Sequence, residues 1–300
     1  MQCLNHIPQL TTYFLNGHFQ KDLNKENALG SGGLVAKAYA SLLEDMWSGD
    51  YSKLAPRALK NTVAAFAPQF NNFYQHDSQE FCSFLMDGLH EDLNRVIDKP
   101  YVTDVEGMGM DDNKAAVESW KNHLLRHNSI IVDHCQGMHR SHITCPTCGN
   151  QSIKFDVYSS ISLPLHHQQN KGINTGNDGI IPLANCLESF TAGERLDEEN
   201  AWYCPKCQDH VCALKKMTLW TTPDILILHL KRFTFDTCKR KGGIVRSKID
   251  NKVDFPVDRL DMQPYIMGAI DEQCPPVYQV RILLDHQRFL SPWNSLFFCF

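Results

Sequence analysis

Along the first hundred residues the apolar side chains recur at helical spacing. Leu34, Val35, Ala38, Tyr39, Leu42, Leu43 and Met46 fall three and four apart, which predicts an amphipathic helix over Glu26–Trp47. Pro56–Phe66 predicts a shorter helix stopped by Pro68. A third starts at Asp77-Ser78-Gln79-Glu80, where Asp77 and Ser78 are N-cap types and Glu80 stands at capping-box spacing from Asp77. Its stripe of Phe81, Phe84, Leu85, Leu89 and Leu93 carries it toward Val96, with Cys82 on or near the apolar face. Residues 101–113, with two glycines and several acids, read as a loop. Lys114–Asn128 is helical again, with Ala116, Trp120 and Leu124 inward.

From Ser129 the period shortens to that of strands: 129–132, 141–144, 152–157, 161–163 and 213–219, with one short helix over Leu183–Phe190. Asp224–Leu230 is a nearly continuous apolar run, as expected of a strand buried on both faces. Cys238–Lys248 clusters basic residues around Gly242-Gly243 and predicts a solvated hairpin tip. The segment 166–180 is polar, Gly/Asn-rich and aperiodic, a flexible insertion. The pattern is α+β, a helical block followed by a mostly β block.

Composition narrows the function classes. The chain has 300 residues, 43% hydrophobic and 21% charged, as in soluble globular proteins. That length suits one large domain or a domain with a subdomain, and its core needs no disulfides. A net charge of −5 argues against a surface that coats nucleic acid. No run approaches the roughly eighteen apolar residues of a spanning helix, so no membrane partner is expected. The first residues, Met1-Gln2-Cys3-Leu4-Asn5-His6, lack the charge and apolar run of a secretory signal, so the expected compartment is intracellular and reducing.

Twelve cysteines are the unusual feature. Two pairs have metal-knuckle spacing, Cys145-Pro146-Thr147-Cys148 and Cys204-Pro205-Lys206-Cys207, each placed at a tight turn. Two residues between thiols let both point at one ion, and two such knuckles complete a tetrahedral zinc shell. The 166–180 insertion lengthens the separation between the pairs without altering the knuckles. A redox C-x-x-C would need one pair rather than two. With four thiolates in the shell no position remains for a catalytic water, so Cys145, Cys148, Cys204 and Cys207 are expected to hold structural Zn2+. Cys82, Cys186, Cys212 and Cys238 have no spaced partner and read as packing residues.

Several ordered motifs then coincide. Gln75-His76-Asp77-Ser78-Gln79-Glu80-Phe81, continuing as Leu85-Met86-Asp87-Gly88-Leu89-His90-Glu91-Asp92-Leu93-Asn94, resembles a signature of the ubiquitin-specific proteases. Gln2-Cys3-Leu4, Pro8-Gln9-Leu10, Tyr13-Phe14, Ser162-Leu163-Pro164-Leu165, the two knuckles, Leu228–Phe233 and Val253-Asp254-Phe255-Pro256 match in order. The resemblance covers residues 1–278. It implies a papain-like cysteine protease thumb and palm with zinc-bearing β fingers: a helical thumb over 1–128, β-rich fingers and palm over 129–278, and a divergent tail over 279–300 outside the fold.

The activity it implies is thiol-dependent hydrolysis of isopeptide bonds at the ubiquitin C-terminus, with ubiquitin and ubiquitinated proteins as partners. A histidine lowers the thiol pKa, and a polar side chain stabilises the oxyanion. In the matching pattern the nucleophile lies in an Asn-Thr-Cys segment that would fall before Met1, whereas Cys3 matches a structural helix position. The Gly-Gly-His-Tyr segment of the catalytic histidine is also unmatched, since no glycine follows Gly268. His286 falls at an earlier, non-catalytic histidine of the family and is disfavoured as the base. The fold is therefore expected to be incomplete at both termini, and the 300 residues inactive by themselves.

What the resemblance carries over is substrate contact. Asp77 and Glu80 match acidic positions that hold the extended basic tail of ubiquitin. For both, a capping role competes. His229 reads as a core histidine. Two other readings stay open: a ubiquitin-binding pseudoenzyme, and an unrelated zinc-ribbon protein that binds nucleic acid.

Overall fold

The structure is a computed structural model and describes residues 4–72, 74, 76–107, 109–165, 180–238, 243–249, 251–269, 275–283 and 295–299. The chain opens with helices α1 (Pro8–Leu15), α2 (Phe19–Asp22), α3 (Leu34–Trp47), α4 (Arg57–Phe66), α5 (Ser78–Asp92), α6 (Asp112–Leu124) and α7 (Ile130–Cys135); α8 (Leu183–Thr191) comes later. Leu10, Phe14, Tyr39, Leu43, Leu59, Leu85, Leu89 and Leu93 are at most 1% exposed and form the centre of the helical half. Each comes from an apolar stripe at the three-and-four spacing that turns one helix face inward.

Three differences from the sequence pattern have physical causes. The helix expected from Glu26 begins only at Leu34, because Gly32 and Gly33 take φ of +69° and +86°, a turn no helix accommodates. The helix expected to reach Val96 ends at Asp92, where the side chains of the next turn bond elsewhere. The run 129–132, expected as a strand, starts helix α7: Ser129 Oγ accepts the Val132 N–H at 3.3 Å, and that cap prevails over the β preference of Ile130, Ile131 and Val132. The helical part thus extends past 128 to Cys135.

The end of α5 is the joint of this half. Asp92 is fully buried, and its carboxylate accepts from Ser31 N and Ser31 Oγ at 2.6 Å, Val35 N at 3.0 Å and Ala36 N at 3.2 Å. It therefore caps α3, whose Gly33 offers no side chain for the purpose, and sits at the positive end of that helix. Asn94 does the same work for the following segment: Oδ1 accepts from Val96 N and Asn128 N at 3.1 Å, and Nδ2 donates to Arg126 O at 2.9 Å. Between them, Glu91 accepts from Asn27 at 2.6 Å and Lys99 at 2.8 Å.

The strands are β1 (Gly137–Thr144), β2 (Gln151–Tyr158), β3 (Ile161–Pro164), β4 (Ile181–Pro182), β5 (Gly193–Arg195), β6 (Trp202–Cys204), β7 (Asp209–Val211), β8 (Leu214–Thr221), β9 (Ile225–Lys231), β10 (Phe233–Cys238), β11 (Gly243–Lys248), β12 (Val253–Asp254), β13 (Leu260–Asp261), β14 (Val277–Leu283) and β15 (Ser295–Cys299). One sheet has the order β2-β1-β8-β5 and is antiparallel throughout; a second has the order β13-β14-β15-β9-β3. Strand β9 is parallel to β3 and antiparallel to β15. Its side chains alternate between two cores. Ile225 and Ile227 join the helical core, while Leu226, Leu228 and Leu230 join a second core with Leu163, Leu187 and Tyr278. That double burial is why the run is apolar at nearly every position.

A third core packs Ala115 and Ala116 of α6 against Met138, Phe155 and Trp220 of the first sheet. The hairpin expected around Gly242-Gly243 is β10–β11, with Cys238 opposite Gly243. Within the stretch 279–300, which the motif pattern sets apart, β15 lies between β14 and β9 and so occupies an interior place in the sheet. No helix among the described residues is long and apolar enough to cross a membrane.

Replacing Asp92 by Ala strands the Ser31 and Ala36 N–H groups, while Val35 N keeps Ser31 Oγ at 2.9 Å. Chemical denaturation should show a loss of about 3 kcal/mol or more, the sum of a lost cap and unsatisfied donors. A loss below about 1 kcal/mol would contradict the role given to this carboxylate.

Candidate functional site

Two groups of side chains carry chemistry that the core does not need. The first is at the start of α5. Asp77 is extended (φ −66°, ψ 124°), and its carboxylate accepts from Gln79 N at 2.8 Å, so it is the cap. Asp77 is half-buried and Glu80 is exposed, on the first turn where the helix dipole favours an anion. His76 stacks edge-on against Phe70, 5.2 Å between centroids, with Nε2 at 2.6 Å from Asn72 Oδ1. This fixes the loop that leads into Asp77.

The start of α5 lies beside β9. Burial lowers the His229 pKa, and the Asp77 carboxylate opposes that effect, which places the two groups close enough to interact. His229 Nδ1 is 3.5 Å from Ser162 Oγ on the neighbouring β3. The geometry is that of a half-buried histidine beside a hydroxyl, with the Asp77 carboxylate acting on it. His286, Gln75 and Cys3 lie outside the described residues.

The second group is the four cysteines. Each knuckle is built the same way. In the first, Cys145 N donates to Asn150 O at 2.8 Å and Gly149 N donates to Cys145 O at 3.0 Å, with Gly149 at φ +68°. In the second, Gln208 N donates to Cys204 O at 2.8 Å and Gln208 takes φ +56°, the one described non-glycine residue with positive φ. A left-handed residue after the second cysteine closes each turn and aims both thiols the same way.

The knuckles face each other. Cys145 Sγ is 3.8 Å from Cys207 Sγ, Cys148 Sγ is 3.6 Å from Cys204 Sγ, and all four sulfurs lie within 4.8 Å of one another. A tetrahedral ion with metal–sulfur bonds of about 2.3 Å sets neighbouring sulfurs about 3.8 Å apart, so the donor set fits a closed four-thiolate shell. The titration of the cluster points the same way. The N–H groups of Cys148 and Thr147 hold Cys145 down to about 6, while the other thiols around Cys207, with Cys148 first, push it up to about 12. Four thiols cannot all ionise side by side without a cation among them. Asn150 Nδ2 points at Cys204 Sγ from 3.9 Å, a support that no spacing rule signals.

Outside the knuckles, Cys82, Cys135 and Cys186 are buried, and burial pushes the Cys186 thiol up to about 11, away from the thiolate. They are packing residues in the two main cores.

The chain is 48% identical over 188 residues to ubiquitin carboxyl-terminal hydrolase 15 of Homo sapiens, covering 63% of this chain and 19% of the relative. It is 50% identical over 165 residues to ubiquitin carboxyl-terminal hydrolase 8 of Arabidopsis thaliana, covering 55% of this chain and 19% of that protein. The chain thus spans about a fifth of the length of these relatives. Among solved structures, a chain of the SAGA Ubp8/Sgf11/Sus1/Sgf73 DUB module bound to ubiquitin aldehyde superposes with a TM-score of 0.63. The match covers 99% of this chain and 58% of that one at 18% identity, a likeness of fold. The family model described as ubiquitin carboxyl-terminal hydrolase matches residues 1–280, from the first helix through the knuckles and β9 into β14, and by that match the chain belongs to the ubiquitin carboxyl-terminal hydrolase family.

Proposed function

We propose that this chain is the ubiquitin-holding body of a cysteine-type deubiquitinase, and that the protein it belongs to hydrolyses isopeptide bonds at the ubiquitin C-terminus. The observation that carries the reading is the pair Asp77 and Glu80 at the accessible start of α5, beside β9. Two carboxylates there suit a basic, extended peptide, and ubiquitin's tail is such a peptide. The partners are then ubiquitin and ubiquitinated proteins. The four thiolates of Cys145, Cys148, Cys204 and Cys207 hold structural Zn2+, which supplies folding free energy to the small strands β6 and β7 rather than chemistry.

A second reading is that these 300 residues bind ubiquitin without cutting it. It is favoured by the state of the thiols, since Cys186 is buried and raised, and no Asn-Thr-Cys segment occurs in the sequence. On these 300 residues both readings predict that a ubiquitin-vinyl probe binds without labelling; on the longer protein that contains them, covalent labelling supports the first reading and binding without labelling supports the second.

Calorimetric titration with ubiquitin should give a micromolar dissociation constant. Glu80→Lys should weaken it about tenfold, near 1.4 kcal/mol, with the melting temperature lowered only slightly by the loss of a favourable charge at the helix start. Equal affinity in the variant would remove Glu80 from the contact, and no binding by the parent chain would contradict the reading.

Removal of metal with a strong chelator should unfold the knuckle region, because structural zinc contributes on the order of 10 kcal/mol to such sites. Cys145→Ala should do the same. Circular dichroism and melting that do not change on chelation would contradict the zinc assignment.

A further inference from the structure

A second set of ligating side chains lies away from both groups above. His90 and Glu91 are in the last turn of α5, and His127 follows α6; one ligand atom from each lies within 4.8 Å of the others. His90 is 7% exposed, while Glu91 and His127 are half-buried. His90 Nδ1 is 2.8 Å from Ser129 Oγ, and its Nε2 faces His127 Nδ1 at 3.0 Å. His127 stacks on His123 at 4.8 Å between centroids, and His123 Nε2 is 2.8 Å from Gln136 Oε1. The rings therefore run in file from the buried Ser129 to an open cleft that His123, Arg126, His127 and Gln136 line.

We propose that His90 Nε2, His127 Nδ1 and the Glu91 carboxylate form a binding site for a borderline divalent transition-metal ion of the zinc class, separate from the four thiolates. Two imidazoles and a carboxylate are the donor set such ions take when a position stays open. Ligand nitrogens on a tetrahedral ion with bonds of about 2.0 Å stand about 3.3 Å apart, so the observed gap of 3.0 Å needs to open only slightly. Ser129 fixes the His90 ring from behind, as the outer partner of a metal-bound histidine does.

Lys99 and Asn27 both donate to Glu91 Oε2, and these two bonds leave Oε1 without a share in them. The cleft that His127 lines supplies the entry path. Of two neutral rings paired nitrogen to nitrogen, one carries the hydrogen in the gap. The ion takes that place, and the displaced hydrogen returns through solvent to the outer nitrogen of the same ring, so two neutral imidazoles ligate with no net proton released. Lys99, 2.8 Å from Glu91, offsets part of the carboxylate charge, so the site binds more weakly than four thiolates. An ion there ties α5 to the turn between α6 and α7.

The test is a count of metal on the intact chain. After equilibration with micromolar free zinc, elemental analysis should find two ions in the parent chain and one in both His127→Ala and Glu91→Gln. Melting curves of the loaded variants would confirm that they remain folded. Cobalt added to the chain with its thiolates already filled by zinc should give only weak visible bands, without sulfur-to-cobalt charge transfer, and lose them in both variants. One ion in the parent chain, or a second ion that both variants retain, would overturn the proposal and leave the file of rings as a packed core.

Discussion

A single buried carboxylate holds the helical half in its arrangement. Asp92 accepts four hydrogen bonds from Ser31 and the first turn of α3, and Ser31 Oγ shares the capping by accepting from Val35 N at 2.9 Å. Because Asp92 closes α5, the two longest helices of this half are fixed end to end by one polar contact in a dry site. Such a contact is worth little more than its alternatives in water, but it is costly to break once buried. Its neighbours Glu91 and Asn94 extend the same joint to Asn27, Lys99, Arg126 and Asn128. The position of Asp77 and Glu80 follows, since they stand at the other end of the helix so anchored.

Strand β9 performs the corresponding task for the whole chain. Its alternate side chains enter two different cores, so the helical half and the β half share one wall. The Asp77 carboxylate at the start of α5 acts on His229 of that strand. The knuckles obey another constraint. Strands β6 and β7 have three residues each and bury little, and the four facing thiols beside them could hold a metal ion.

Much of this was legible in the sequence, for identifiable reasons. The apolar run at 224–230 announced a strand buried on both faces, and the Cys-Pro-x-Cys spacing announced facing thiols, because both signals are local and physically strict. The apolar spacing of α3 begins at Leu34, where the helix starts, but the expected helix was drawn back to Glu26 across glycines whose positive φ breaks it. The helix at Ile130 was hidden by its β-branched residues, which read as a strand together with Ser129, the residue that caps the helix. The hydrogen bonds of Asp92 and Asn94 join residues more than thirty positions apart, and no pattern along the chain encodes such partners. Their motif identified a family before it explained a structure.

The central proposal is that this chain holds ubiquitin with the start of α5 and with the β fingers that carry the knuckles. Hydrogen exchange read by mass spectrometry, with and without ubiquitin, probes both regions in one experiment. Slowed exchange is expected at residues 76–84 and across 193–221, with the segments around Asp92 unchanged because they are already protected. Exchange that ubiquitin leaves unaltered, or slows only outside those two regions, would contradict it.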